Sequence, residues 1–239
     1  MNNNYTSWDE LINTIYNKSG ILFEAGKCHP SHNGLCINGK LPFSISESEF
    51  NYMKDFIIKN NLKNGYELAT GTGISSVGIG YALEKNGGKL VTIDSYLEDE
   101  MQDQPINDVR LGNSDSAMNR NNLMFSSLGL DKIITHKRFS PDCEDILDRE
   151  FDNNIDFVFL DCPKDSSDFI RDISILKNRI NKEKFAIFVH DTHCFPDDFK
   201  KISKETFGEE GIFIFDFING SGDTIKQEFQ LGLITNIKI

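Results

Sequence analysis

Residues 66 to 94, YELATGTGISSVGIGYALEKNGGKLVTID, constrain the fold of this chain more than any other stretch. They read as a strand, a glycine turn, a helix and a second strand that closes on an acid. Gly71 and Gly73 bracket the turn. Residues without a Cβ let the backbone pass close to a ligand. Asp94 lies about twenty residues beyond the turn, where a carboxylate can hold ribose hydroxyls. Glu67 adds an acid inside the first strand. The stretch suits a nucleoside cofactor and leaves its kind open.

The chain has 239 residues, enough for one large α/β domain or a domain with a cap. Its net charge of −12 argues against broad contact with nucleic-acid phosphates or anionic membrane. No apolar run reaches the roughly 18 residues of a membrane span. The opening MNNNYTSWDE has neither a basic nor an apolar segment, so no signal peptide is expected. Five cysteines, Cys28, Cys36, Cys143, Cys162 and Cys194, make an odd count that fits free thiols in a reducing cytoplasm.

Along the chain, Ser7 to Glu10 has capping-box spacing, and Trp8, Leu11, Ile12 and Ile15 share one helical face before Gly20. Residues 21–45 show no period. A second capping box, Ser46 to Glu49, opens a helix that turns Phe50, Met53, Phe56 and Ile57 inward. Residues 1–61 are therefore expected as an N-terminal helical cap and loop, or part of an oligomer contact. Residues 62–239 form the main domain.

Strands are expected at 66–70, 90–94, 132–137, 155–160, 185–189, 212–217 and 225–235. Helices are expected at 74–84, 116–128, 141–149 and 196–206. A further helix carries Phe169, Ile170, Ile173, Leu176 and Ile180 on its face. Residues 97–114 are polar and acidic without a period and read as a loop or lid. The turn at 219–223 is short, so the last two strands must be antiparallel. The sum is an α/β, Rossmann-like chain: a seven-stranded, mostly parallel sheet closed by an antiparallel C-terminal hairpin. Ligands sit outside the carboxyl ends of strands in such sheets.

A dinucleotide fingerprint, G-x-G-x-x-G, is met at Gly71 and Gly73 but has Ser76 in its third place. The motif Glu67-Leu68-Ala69-Thr70-Gly71-Thr72-Gly73 resembles the first motif of class I S-adenosylmethionine (SAM)-dependent methyltransferases. The later order of motifs adds to this: Arg138-Phe139-Ser140-Pro141-Asp142, then residues 155–161, then Phe188-Val189-His190-Asp191-Thr192. That order resembles the small-molecule O-methyltransferase branch, including methyltransferase family 24 and the catechol type. The resemblance implies a class I methyltransferase fold with SAM as cofactor. It implies that Glu67 and the turn (Ala69, Gly71, Thr72, Gly73 and Ser75) hold the methionine end. Asp94 and Ser95 would then serve the ribose, Ser140 and Cys162 would border the adenine, and Asp161 would complete the cofactor contacts.

Asp161-Cys162-Pro163-Lys164-Asp165 resembles the catechol-type Asp-x-x-Lys-Asp loop, which implies a metal-binding acid and a lysine base. A neutral hydroxyl is a poor nucleophile toward a methyl sulfonium, and Mg²⁺ held by carboxylates lowers its pKa. Asp191 would supply the second carboxylate, with Thr192 where the catechol type has Asn. This departure leaves metal-assisted and metal-free catalysis both open. In the metal-free case His193 or, less readily, His190 is the base, with Lys164 the base of the catechol-type reading. His190 is better read as a strand-end histidine bonded to backbone. Cys28, His29, His32 and Cys36 fall within nine residues, but without a CxxC pair they read as a loop rather than a zinc site.

The expected function is transfer of a methyl group from SAM to a hydroxyl of a small molecule. Two rivals share the fold: an NAD(P)-dependent oxidoreductase and a non-catalytic SAM-binding scaffold.

Overall fold

The computed structural model describes residues 7–25, 35–37, 45–95, 117–161, 165–208, 210–216 and 231–238. Its main strands are β3 (Asn64–Leu68), β4 (Lys89–Asp94), β5 (Ile133–Lys137), β6 (Phe157–Leu160), β7 (Ala186–His190), β8 (Phe213–Asp216) and β9 (Leu231–Thr235). They form one sheet in the order β5-β4-β3-β6-β7-β9-β8. Strands β5, β4, β3, β6 and β7 run parallel to their neighbours, whereas β9 is antiparallel to both β7 and β8. From β3 the chain builds outward through β4 and β5, then returns to lay β6 on the other side of β3. That reversal opens a crevice at the carboxyl ends of β3 and β6, where ligands bind in open α/β sheets.

The helices are α1 (Trp8–Ser19), α2 (Glu47–Lys59), α3 (Ile74–Lys85), α4 (Ala117–Leu128), α5 (Glu144–Phe151), α6 (Ser166–Leu176) and α7 (Pro196–Phe207). They cover both faces of the sheet. The central strand β6 is buried throughout as Phe157-Val158-Phe159-Leu160. Its side chains alternate between faces, as the twofold period of a strand requires. Phe157 and Phe159 join the core cluster under α1, α2, α3 and α4. Val158 and Leu160 join the cluster under α5, α6 and α7.

The N-terminal helices are built into the first of these layers. Ser7 caps α1 by accepting from the Glu10 N–H, and the helix ends at Gly20 in the left-handed region. Helix α2 opens on the expected capping box, in which Ser46 and Glu49 bond each other's backbone N–H. Trp8 packs on Phe50 at 5.0 Å, and Phe56 packs edge-on against Phe188 of β7 at 5.4 Å. A Cβ on Gly78 would stand 2.6 Å from the Phe50 ring, so a glycine there lets α2 and α3 approach closely.

Several details differ from the sequence reading. Residues 21–45 contain a small antiparallel pair, β1 (Phe23–Ala25) with β2 (Leu35–Ile37), too short to show a period. Residues 140–142 form a 3-10 turn and α5 begins only at Glu144, with Cys143 between them outside the helical conformation (φ −109°, ψ 0°) and its thiol donating to the Ser140 carbonyl. Ile170 is 51% exposed, since the buried stripe of α6 runs through Phe169, Ile173 and Leu176. Ile180 lies beyond that helix and bridges Ile155. The 97–114 loop, the 219–223 turn and the residues Cys28, His29 and His32 lie outside the described residues.

Candidate active site

The glycine turn leaves β3 at its carboxyl end. Ala69, Gly71 and Gly73 all have positive φ, at 73°, 49° and 80°. A left-handed alanine is uncommon, and such outliers gather at binding sites. Gly73 has no room for a side chain, because a Cβ would meet Met124, Asn121 and Phe125 at 2.9 to 3.1 Å. The turn is tied down from three sides. The Gly73 N–H donates to the Thr70 carbonyl at 2.8 Å. The Gly71 N–H donates to Asp94 Oδ2 at 2.8 Å. The Gly71 carbonyl accepts from Asn121 at 2.9 Å and from Arg120 at 3.3 Å. Thr72 and Ser75 are buried beside it, and Ser95 follows Asp94 directly.

Glu67 is fully buried beneath this turn. Its Oε2 accepts from Ser76 and, at 2.6 Å, from Thr92. Oε1 is buried with no hydrogen-bond partner among the described residues. Burial pushes its pKa up to about 7, against the smaller pull of the Ser75, Ser76 and Thr92 hydroxyls. The serine in the third fingerprint position thus has a defined task, which a glycine could not perform.

The next strand ends lie along the same edge. Ser140, after β5, is buried and donates to Asp172 on α6. Asp161 follows β6, and Asp191 follows β7 in a left-handed conformation (φ 57°). His190 closes β7 and is 4% exposed. Its Nδ1 stands 3.0 Å from Asp161 Oδ1 and 3.3 Å from Asp191 Oδ1, and its Nε2 stands 3.5 Å from Glu49 Oε2. Burial works against charge on this ring, but Asp161 and then Glu49 outweigh it and hold the imidazole well above its usual range. One ligand atom each from Asp161, His190 and Asp191 lies within 4.8 Å of the others.

His193 stands at the rim, 36% exposed, with Nδ1 3.9 Å from Asp191 Oδ1 and Nε2 3.6 Å from Cys194 Sγ. Thr192 is not brought into the group, because its hydroxyl donates to Asp216 on β8 at 3.1 Å. Asp165 caps α6 by accepting from the Ser167 and Asp168 N–H groups. Cys162 and Lys164 lie outside the described residues.

The structure adds residues that the sequence reading passed over. In the sequence Glu49 reads only as a helix cap, yet it faces His190 from α2. In the sequence His190 reads as backbone-bonded, yet three carboxylates surround it. Arg120 and Asn121 sit in a polar run, Asn119 to Asn122, that resembles a solvated helix face. Only their burial beneath Gly71 shows their part in holding the turn.

No protein-family model and no curated protein matches the chain. Solved structures do. TomG of Streptomyces achromogenes, an O-methyltransferase involved in tomaymycin synthesis and solved with SAM, is 14% identical, with a TM-score of 0.60 over 82% of each chain. A candidate caffeoyl-CoA O-methyltransferase from Staphylococcus aureus is 10% identical, with a TM-score of 0.55 over 96% of this chain and 92% of its own. An O-methyltransferase from Bacillus cereus in complex with S-adenosylhomocysteine (SAH) is 14% identical, with a TM-score of 0.52 over 80% and 81%. The fold is that of the class I methyltransferases: seven strands, six of one sense, with the antiparallel strand next to the edge.

Proposed function

We propose that this chain transfers a methyl group from SAM to a hydroxyl of a small molecule. The observation that carries the proposal is a convergence on one sheet edge. The Gly71–Gly73 turn, with Asp94 bonded to it, lies at the same carboxyl edge as Asp161, His190 and Asp191. A cofactor site and a reaction site side by side are what a group-transfer enzyme needs.

SAM, when bound, supplies a methyl group on a sulfonium. The turn from Ala69 to Gly73, with Ser75 and Glu67, is suited to its methionine end. The cofactor is cationic there, and a buried carboxylate with an unbonded oxygen favours that charge. Asp94 and Ser95 would receive the ribose, and Ser140 and Cys162 would border the adenine. Asp161 lies between the two sites. As the acceptor oxygen forms its bond to the methyl carbon, its proton must leave. His193 would take it at the rim, and Asp191, 3.9 Å away, would stabilise the resulting imidazolium. Lys164 is the alternative base.

A divalent ion held at Asp161 and Asp191 would lower the pKa of the acceptor hydroxyl. The donor set includes an imidazole and lacks the Thr192 hydroxyl, so it fits Mg²⁺, which prefers six oxygens, less well than an ion that accepts nitrogen. Ser76, bonded to Glu67, argues against the NAD(P) rival.

No described helix is long and apolar enough to cross a membrane. We infer a reducing, cytoplasmic setting, which the odd count of five cysteines supports. Residues 1–61 would serve as the cap and 62–239 as the SAM-binding domain.

Thermal melts with SAM, SAH, NAD⁺ and NADPH test the cofactor, because a ligand of the native state raises the melting temperature. SAM and SAH should raise it and the nicotinamides should not. A shift with NADPH alone would overturn the reading. A screen of hydroxylated small molecules for SAH release then tests catalysis, and a SAM-binding chain that never releases SAH would be a scaffold.

A further inference from the structure

His190 presents a ring nitrogen in each direction. The ring is buried, and neither nitrogen is aligned for a hydrogen bond among the described residues. Nδ1 faces Asp161 and Asp191 at 3.0 and 3.3 Å. Ligands about 2.1 Å from a tetrahedral ion stand roughly 3.4 Å apart, so these separations match donors around a cation. Nε2 faces Glu49 at 3.5 Å. Glu49 belongs to the first turn of α2, outside the sheet, and its Oε2 also accepts from the Ser46 N–H at 2.8 Å. That bond fixes the carboxylate from behind.

We propose that Asp161, His190 and Asp191 bind a divalent cation that accepts nitrogen, such as Mn²⁺, Co²⁺ or Zn²⁺, and that Glu49 is the outer carboxylate that turns His190 Nδ1 toward it. Two carboxylates and an imidazole suit such ions, whereas Mg²⁺ prefers oxygen alone. A metal-bound histidine characteristically gives its other N–H to a carboxylate, which sets its tautomer and orientation. The N-terminal helix thereby becomes part of the reaction edge. The inference deepens the methyl-transfer reading, but its test needs neither cofactor nor acceptor. Failure of ion binding would leave SAM binding untouched, and failure of SAM binding would leave the ion site standing.

The test is calorimetric titration of the full chain with MnCl₂, CoCl₂ and MgCl₂, with electron paramagnetic resonance of the Mn²⁺ complex. We expect one Mn²⁺ site, much weaker binding of Mg²⁺, and nitrogen coupling in the spectrum. His190→Ala and Asp161→Asn should each abolish binding. Glu49→Gln keeps the capping box, since glutamine serves at that position, and should weaken Mn²⁺ binding by about 10- to 100-fold. Ser46→Ala loses the cap but keeps the carboxylate, and should leave the affinity unchanged. Absence of any saturable site, Mg²⁺ binding as tightly as Mn²⁺, or a Mn²⁺ spectrum without nitrogen coupling would overturn the ion site. Equal weakening by Ser46→Ala and Glu49→Gln would reduce Glu49 to a helix cap. Should His190→Ala fail to fold, the nitrogen coupling of the wild-type complex decides alone.

Discussion

Thr92 on β4 stands opposite Glu67 on β3 in the parallel register and donates to Glu67 Oε2 at 2.6 Å. Thr92 in turn is 2.6 Å from the Thr70 hydroxyl. A buried carboxylate, fed by hydroxyls from two elements, thus lies directly beneath the glycine turn.

This carboxylate makes the stability of the unliganded protein depend on pH. Burial raises Glu67 from 4.5 to about 7, so the folded state holds a proton that the unfolded chain has released. The contribution is full below about 4.5, falls as pH rises, and is lost above about 7. It amounts to something on the order of 3 kcal/mol. Glu67→Gln imitates the protonated form. Urea unfolding of the two proteins should converge near the acid end of this window and separate toward neutral pH, with the variant the more stable. Parallel curves would count against a raised Glu67.

Ser76→Gly restores the third glycine of a dinucleotide fingerprint. It also removes a donor to Glu67 and places a glycine inside α3. Together these should destabilise the protein by about 2–3 kcal/mol. Thermal melts with NAD⁺ should show no gained affinity, because the rest of the edge is unchanged.

Gly73→Ala forces a side chain onto a φ of 80° and into Met124, Asn121 and Phe125. The backbone term alone is about 1–2 kcal/mol. Gly129→Ala is the control: its φ is 73°, but nothing lies within 4 Å of the added Cβ. Urea midpoints should fall for both, and further for Gly73→Ala. Only Gly73→Ala should weaken SAH binding.

Asp94→Ala removes the acceptor of the Gly71 N–H and the carboxylate proposed for the ribose. Hydrogen bonds to charged groups contribute about 1.5–3 kcal/mol, so SAH affinity should fall by about 10- to 100-fold. Calorimetry reads this directly. Unchanged affinity would remove Asp94 from the cofactor site.

Most of the frame was legible because it rests on local chemistry. Ser46 and Glu49 announce a capping box, Gly71 and Gly73 a turn, and the all-apolar Phe157 to Leu160 a buried strand. The Gly20 stop follows from a short-range rule as well. What escaped was set by distance in sequence. Glu49 and His190 meet across 141 positions, and nothing local to either residue signals the other. Asn121 and Gly71 meet across 50. Ile170 misled because an apolar residue one step off the helical stripe is indistinguishable from the stripe until its exposure is seen.

Strand β9 follows β8 in the chain yet lies between β7 and β8. On the ribosome, β7 therefore keeps an open edge until residues 231–235 emerge, and Leu231 is the residue that pairs with His190. The strands around the glycine turn have no such debt, since β3, β4 and β5 pair in order of synthesis. The growing protein can shape the half suited to a nucleoside well before the half with the carboxylates is held in register. A chain stopped short of residue 231 would be a candidate binder that cannot yet assemble its reaction edge.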